Sequence, residues 1–173
     1  MPASLLRPDL PPRWPATVRA ELERRQLVLA GLAAPEVLDV GSPDGRDLLR
    51  RAVEDGVGPS DRGRFATVVS TAGLVRFADL GAAVAAVDSL LAPDGVLYAC
   101  EPAERPGPGG LLVSSAGALL PPVRGVHVAR DLPAVLRATG YTMTDVERFT
   151  MPTLVWPLRP FLQLRAVRTA SLT

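Results

Sequence analysis

The run Val37-Leu38-Asp39-Val40-Gly41-Ser42-Pro43-Asp44-Gly45-Arg46-Asp47 constrains this chain more than any other stretch. An apolar segment breaks at a glycine turn, and a helical pattern follows directly, Asp47-Leu48-Leu49-Arg50-Arg51-Ala52-Val53. A strand, a tight turn and a helix N-terminus in succession form a ligand cradle in many α/β proteins. The first N–H groups of the helix point outward, and glycines let a ligand reach the backbone.

The rest of the chain alternates in the same way. Residues 1–15 hold five prolines and no sustained period, which predicts an arm rather than a folded layer. Ala16–Gly31 reads as a helix with Val18, Leu22 and Leu29 on one stripe, and Glu36–Val40 as the first strand. A helix from Asp44 or Gly45 to Asp55 comes next, then a turn-rich loop, Gly56–Arg64. Phe65–Ser70 is β-branched and continuous, as strands buried in a parallel sheet are. Leu80, Val84, Val87 and Leu91 mark a helix over Ala78–Leu91, with Asp79 at its start. Pro93-Asp94-Gly95 turns the chain into a strand, Val96–Cys100. From Glu101 to Pro122 a Gly-, Pro- and Ser-rich excursion is a candidate lid. Asp131-Leu132-Pro133 opens a helix that stops at Gly140, and Tyr141–Thr150 and Phe161–Val167 read as closing strands.

Composition excludes several function classes. At 173 residues the chain suits one domain with a sizeable core, built from Leu, Val and Ala because aromatics make up only 5%. A net charge of +1 speaks against a general nucleic-acid surface. With one cysteine, Cys100, and one histidine, His127, there is no internal disulfide and no Cys/His zinc cluster. No apolar run reaches membrane-spanning length and no signal-peptide core is visible, so a cytoplasmic protein is expected.

In wording, VLDVGSPDGRD resembles the first motif of the class I S-adenosylmethionine (SAM) dependent methyltransferases, VLDxGxGxG. Ser42-Pro43-Asp44 replaces part of the glycine-rich core, leaving Gly41 and Gly45. RFATVVSTAGLVRFADLGAAVAAVDSLLAPDGVLYACEP is similar to that family's fourth strand, fourth helix, Pro-Gly turn and fifth strand. HVARDLPAVLRATGYTMTDVERFTMP is similar to its last helix and sixth strand. The resemblance implies an α/β, reduced Rossmann-like methyltransferase fold over residues 16–173, with a mostly parallel five-stranded sheet and an antiparallel C-terminal strand. In the family a second strand ends in the acid that holds the ribose, and a third helps hold the adenine. Here only the 23 residues Gly41–Gly63 separate the first strand from the next matched one, which leaves no room for either.

Carried onto this chain, the resemblance implies a vestigial or altered cofactor site at Asp39, Gly41, Asp44, Gly45, Ser70 and Thr71. Glu101 would face a substrate, and His127, the only imidazole, would be the candidate general base. Hydrogen bonds to a charged group contribute about 1.5–3 kcal/mol each. Losing a bidentate carboxylate–ribose contact therefore costs roughly two to four decades of affinity. The expected function is thus a methyltransferase-like protein that has lost SAM binding and acts as a non-catalytic partner or scaffold, with no cofactor on the isolated chain. The alternatives are a SAM-dependent small-molecule methyltransferase with an altered or partner-completed site, and a binding module for another small ligand. Without second and third strands, Glu36–Val40 becomes a sheet edge, which predicts a homodimer or a heterodimer with an active methyltransferase. The same deletion leaves two options for the first crossover: the helix Gly45–Asp55 changes faces, or, the favoured one, the crossover is left-handed and the loop Gly56–Arg64 passes under the sheet.

Overall fold

Successive side chains of a strand point to opposite faces of its sheet, and here that alternation divides the interior into two cores. The computed structural model describes residues 8–10, 14–32, 36–103, 127, 131–151, 154 and 159–169. Helix α1 (Ala16–Gly31) leads into strand β1 (Val37–Asp39), helix α2 (Pro43–Asp55) and strand β2 (Phe65–Thr71). A short 3-10 turn (Leu74–Arg76), helix α3 (Leu80–Leu90) and strand β3 (Leu91–Pro102) follow. Helix α4 (Leu132–Ala138) and strands β4 (Tyr141–Thr150) and β5 (Pro160–Arg168) complete the described elements.

The sheet order is β1-β2-β3-β5-β4. β1, β2 and β3 run parallel, and β5 is antiparallel to both of its neighbours. The expected α/β class, with a mostly parallel five-stranded sheet and an antiparallel C-terminal strand, is what forms. Expected element ends shift by a few residues, most at β3, which starts at Leu91 and carries Pro93-Asp94-Gly95 within it beside an irregular register with β2. Of the candidate lid, Glu101–Pro122, residues 104–122 lie outside the described residues, while Glu101 and Pro102 end β3. Among the described residues no helix is long and apolar enough to cross a membrane.

On one face Leu38, Val68, Leu97 and Ala99 of the strands meet Leu49 and Ala52 of α2, Val84 and Val87 of α3, and Leu136 of α4. On the other, Val69, Tyr98, Cys100 and Phe161 meet Val18, Leu22 and Leu29 of α1. Helices α2 and α3 therefore share a face. Both crossovers, β1-α2-β2 and β2-α3-β3, step the same way along the sheet on that face, so they have the same hand, the right hand that such units adopt. The expected left-handed first crossover is overturned. Its loop does not pass under the sheet, because Gly63 N donates to Ser89 O at the end of α3 across 3.0 Å. With β2 on the inner side of β1, only a helix on the α3 face keeps the favoured hand.

A second departure lies before α1. The segment expected as a loose arm contributes Leu10 and Trp14, 7% and 2% exposed, to the α1-side core. Trp14 meets Phe161 edge-on, with centroids 6.1 Å apart, and adds apolar burial that a proline-rich stretch conceals from periodicity.

Candidate functional site at the carboxyl edge of the sheet

Parallel strands bring their carboxyl ends to one edge, where α/β sheets hold ligands. Asp39 ends β1 with its side chain on the α1 face. Gln26 Nε2 donates to its Oδ2 across 2.7 Å, and Gly41 N donates to its Oδ1 across 2.8 Å. Burial pushes the carboxyl up to about 6 against these bonds.

The turn that follows serves helix packing. Ser42, in extended conformation, caps α2 by accepting from Gly45 N at 3.1 Å, and its hydroxyl donates to Asp39 O at 2.7 Å. Pro43 then occupies the first turn, so the helix starts one or two residues earlier than expected. A Cβ on Gly45 would lie 1.9 Å from Asp39 O, so this glycine lets helix and strand approach. Asp44 is solvent-exposed in the first turn, where its charge suits the helix dipole.

Ser70 and Glu101 turn inward on the opposite face. Glu101 Oε1 accepts from Ser70 Oγ at 2.5 Å and from Gly73 N and Leu74 N at 3.1 Å each. Its Oε2 accepts from Val75 N at 3.4 Å. The fully buried carboxyl is pushed up to about 7 by desolvation, and its bonds hold the 3-10 turn in place. Ala72 reaches that turn at φ +50, and Gly73 passes so close to β1 that a Cβ would lie 2.8 Å from Val40 O. Thr71 Oγ1 is buried without a hydrogen-bond partner among the described residues. His127 is tied to the same edge through its backbone, N donating to Val75 O at 2.8 Å.

Residues 8–10 lie over the glycine turn. Asp9 N donates to Gly41 O at 2.8 Å, and Pro8 Cβ is 3.4 Å from where a Cβ on Gly41 would sit. Asp9 Oδ2 accepts from Arg46 Nη2 at 2.7 Å and lies 3.6 Å from Arg76 Nη1, which belongs to the 3-10 turn. Arg76 Nη2 also donates to Asp9 O. Among the described residues no group of three or more His, Cys, Asp or Glu could hold a metal ion.

No family model and no curated protein sequence matches the chain. Solved structures do. A SAM-dependent methyltransferase from Thermotoga maritima aligns at a TM-score of 0.52 with 14% identity, covering 83% of this chain and 86% of that one. The YcgJ protein of Bacillus subtilis aligns at 0.55 with 13% identity, over 83% and 97%. The [4+2]-cyclase SpnF aligns at 0.58 with 14% identity, over 92% and 84%. This is a class I methyltransferase-like fold.

Within that methyltransferase-like frame, Asp39, Gly41, Ser70, Thr71, Glu101 and His127 do come to one edge of the sheet. They do not converge on a common point: Asp39 and Thr71 serve the α1 side, while Ser70 and Glu101 bond to each other on the other. Three residues at this edge were not marked by the sequence, namely Asp9, Arg46 and Arg76. Asp9 is 37 residues from Arg46 and 67 from Arg76 in the chain, and no motif or periodicity links them. The fold alone does not carry an activity, and one of the three neighbours bears the name of a cyclase.

Proposed function

We propose that this methyltransferase-like chain has lost ordinary SAM binding and works as a non-catalytic partner module. The observation that carries this reading is the seat of residues 8–10 on the glycine turn. A cofactor using the N–H groups and carbonyl of that turn would compete with Asp9 N on Gly41 O and with Pro8 over Gly41. The remaining polar groups also fit SAM poorly. Asp39 is engaged by Gln26 and Gly41, and Glu101 by Ser70 and three backbone N–H groups. The resemblance implies a ribose-binding acid on a strand beside β1. Among the described residues β1 pairs with β2 alone.

That last feature also supports a partner. A strand edge offers unpaired N–H and C=O groups to another chain unless something covers it. Leu27, 58% exposed on α1, adds apolar surface next to the Gln26 that reaches β1. The partner is a second copy of the chain or an active methyltransferase. Titration calorimetry of the purified chain with SAM should show no saturable binding at submillimolar concentration. A micromolar dissociation constant would overturn the non-catalytic reading. Light scattering after size exclusion should give a dimer; a monomer at tens of micromolar would remove the homodimer.

A further inference from the structure

Arg46 and Arg76 come from different elements, α2 and the 3-10 turn, yet share one anion. Their side chains are only 16% and 18% exposed, whereas that of Asp9, which joins them, is 45% exposed. A guanidinium stays charged at every accessible pH, so two of them brought together and partly desolvated need a counter-anion. Burial, and then the charge of Arg46, lower Arg76 from the usual guanidinium value. The anion supplied is a side chain on a segment that reaches this edge through few bonds, and its exposure makes it exchangeable.

The two arginines also open onto a cavity of about 470 Å³ between α2 and the start of α3. Val53, Phe77 and Ala78 give it apolar walls. The other charged groups that face it have roles of their own or lie farther along. Arg50 pairs with Asp47 at 2.9 Å, Asp79 caps α3 by accepting from Ala82 N at 2.9 Å, and Glu54 lines the wall. The cavity is thus a charged cleft with an apolar strip, in which Arg46 and Arg76 are the convergent groups that would orient a small ligand.

We propose that Arg46 and Arg76 form the anion end of a small-ligand site, that the cavity along Val53 and Phe77 takes the ligand's apolar body, and that Asp9 holds the anion end closed. The ligand class is a small molecule with an apolar body and a terminal carboxylate or phosphate, since both match the two guanidinium forks. Binding exchanges one carboxylate for another anion, so the two guanidinium groups are never left without a counter-anion. The site does not depend on whether SAM binding is lost, and its test uses no SAM.

The test is titration of the full chain with inorganic phosphate and, separately, with malonate, each at constant ionic strength. Asp9→Asn should bind one of them at least ten times more tightly than the unsubstituted chain, and adding Arg46→Gln and Arg76→Gln should abolish that binding. Which anion binds more tightly separates a phosphate ligand from a carboxylate one. Equal affinity in Asp9→Asn and the unsubstituted chain, or undiminished binding in the triple variant, would overturn the proposal. A second readout needs no variant: saturating anion should release the Asp9 N–H, held by Gly41 O, to faster hydrogen exchange. An unchanged exchange rate at saturation would also overturn it.

Discussion

Gln26 donates a 2.7 Å hydrogen bond to Asp39 Oδ2, while its own Oε1, equally buried, has no partner among the described residues. The pair joins α1 to the end of β1 and leaves a carboxyl raised by burial from 3.8 to about 6. The native chain therefore keeps this proton at pH values where the unfolded chain has released it. Stability attributable to Asp39 falls as pH rises from about 4 to about 6. Asp39→Asn supplies a neutral amide that can keep the Gly41 N–H bond and donate to Oε1 of a flipped Gln26, at the cost of the partner that Gln26 Nε2 now has. We expect that variant to be about 1–3 kcal/mol more stable than the parent at pH 8 and no more stable near pH 4, by urea unfolding. Gln26→Leu should cost roughly 1.5–3 kcal/mol at pH 8 and less in acid.

Glu101 extends the same dependence. Its carboxyl is raised from 4.5 to about 7 by desolvation, so the native state again holds a proton that the unfolded state gives up. Across about pH 4.5 to 7 stability should fall with rising pH, by roughly 3 kcal/mol at full ionisation. Glu21 has the opposite sign, held down to about 2 by Arg24 and then Arg25, but its stabilisation is lost only below that window. Glu101→Gln keeps an oxygen for Ser70, Gly73 and Leu74, so it should fold and flatten the urea midpoint between pH 5 and 8. A midpoint as steep as the parent's would mean that Glu101 does not titrate in this range.

The two glycines of the turn should respond differently to alanine. At Gly45 the added Cβ meets Asp39 O at 1.9 Å and Asp39 C at 2.7 Å, backbone atoms with nowhere to go. Gly45→Ala should lose more than about 3 kcal/mol or fail to fold. At Gly41 the nearest atoms are Asp39 Oδ1 at 3.0 Å, Thr71 O at 3.3 Å and Pro8 Cβ at 3.4 Å. These contacts are tight but none is an overlap, so Gly41→Ala should cost less, about 1–2 kcal/mol. Thermal unfolding of the two variants checks the order.

That contrast shows what the sequence could and could not convey. Apolar periodicity exposed every major described element, and the Asp131 cap, Pro133 and Gly140 located α4 closely, because these signals are local. The same local signal marks Gly41 and Gly45 alike, although a Cβ would lie 1.9 Å from a strand carbonyl at Gly45 and no nearer than 3.0 Å to any atom at Gly41. The face taken by α2 depends on which side of β1 its next strand lies, a property of the whole sheet. Asp9, Arg46 and Arg76 meet only after α2, the 3-10 turn and the leading segment are in place. Leu10 and Trp14 were hidden among prolines that break every period yet do not prevent burial.

The leading segment allows two explanations for the proposed loss of SAM binding to be separated. Either residues 8 and 9 alone block an otherwise competent turn, or the site also lacks the groups that would hold the adenosine half. Removing residues 1–9 uncovers Gly41 O and frees Arg46 and Arg76 of Asp9, while Leu10 and Trp14 stay to fill the α1-side core. Among the described residues the truncation loses two backbone bonds, the Arg76 bond to Asp9 O and two partly exposed ion pairs, so it should cost about 2–4 kcal/mol. Among the described residues β1 pairs with β2 alone, so no strand on its other side offers a ribose acid, and this truncation adds none. The truncated chain should therefore still show no saturable submillimolar SAM binding by calorimetry. A micromolar affinity appearing only on truncation would make residues 8–10 a displaceable gate over a working cofactor site, and the chain a regulated SAM binder rather than a non-catalytic partner.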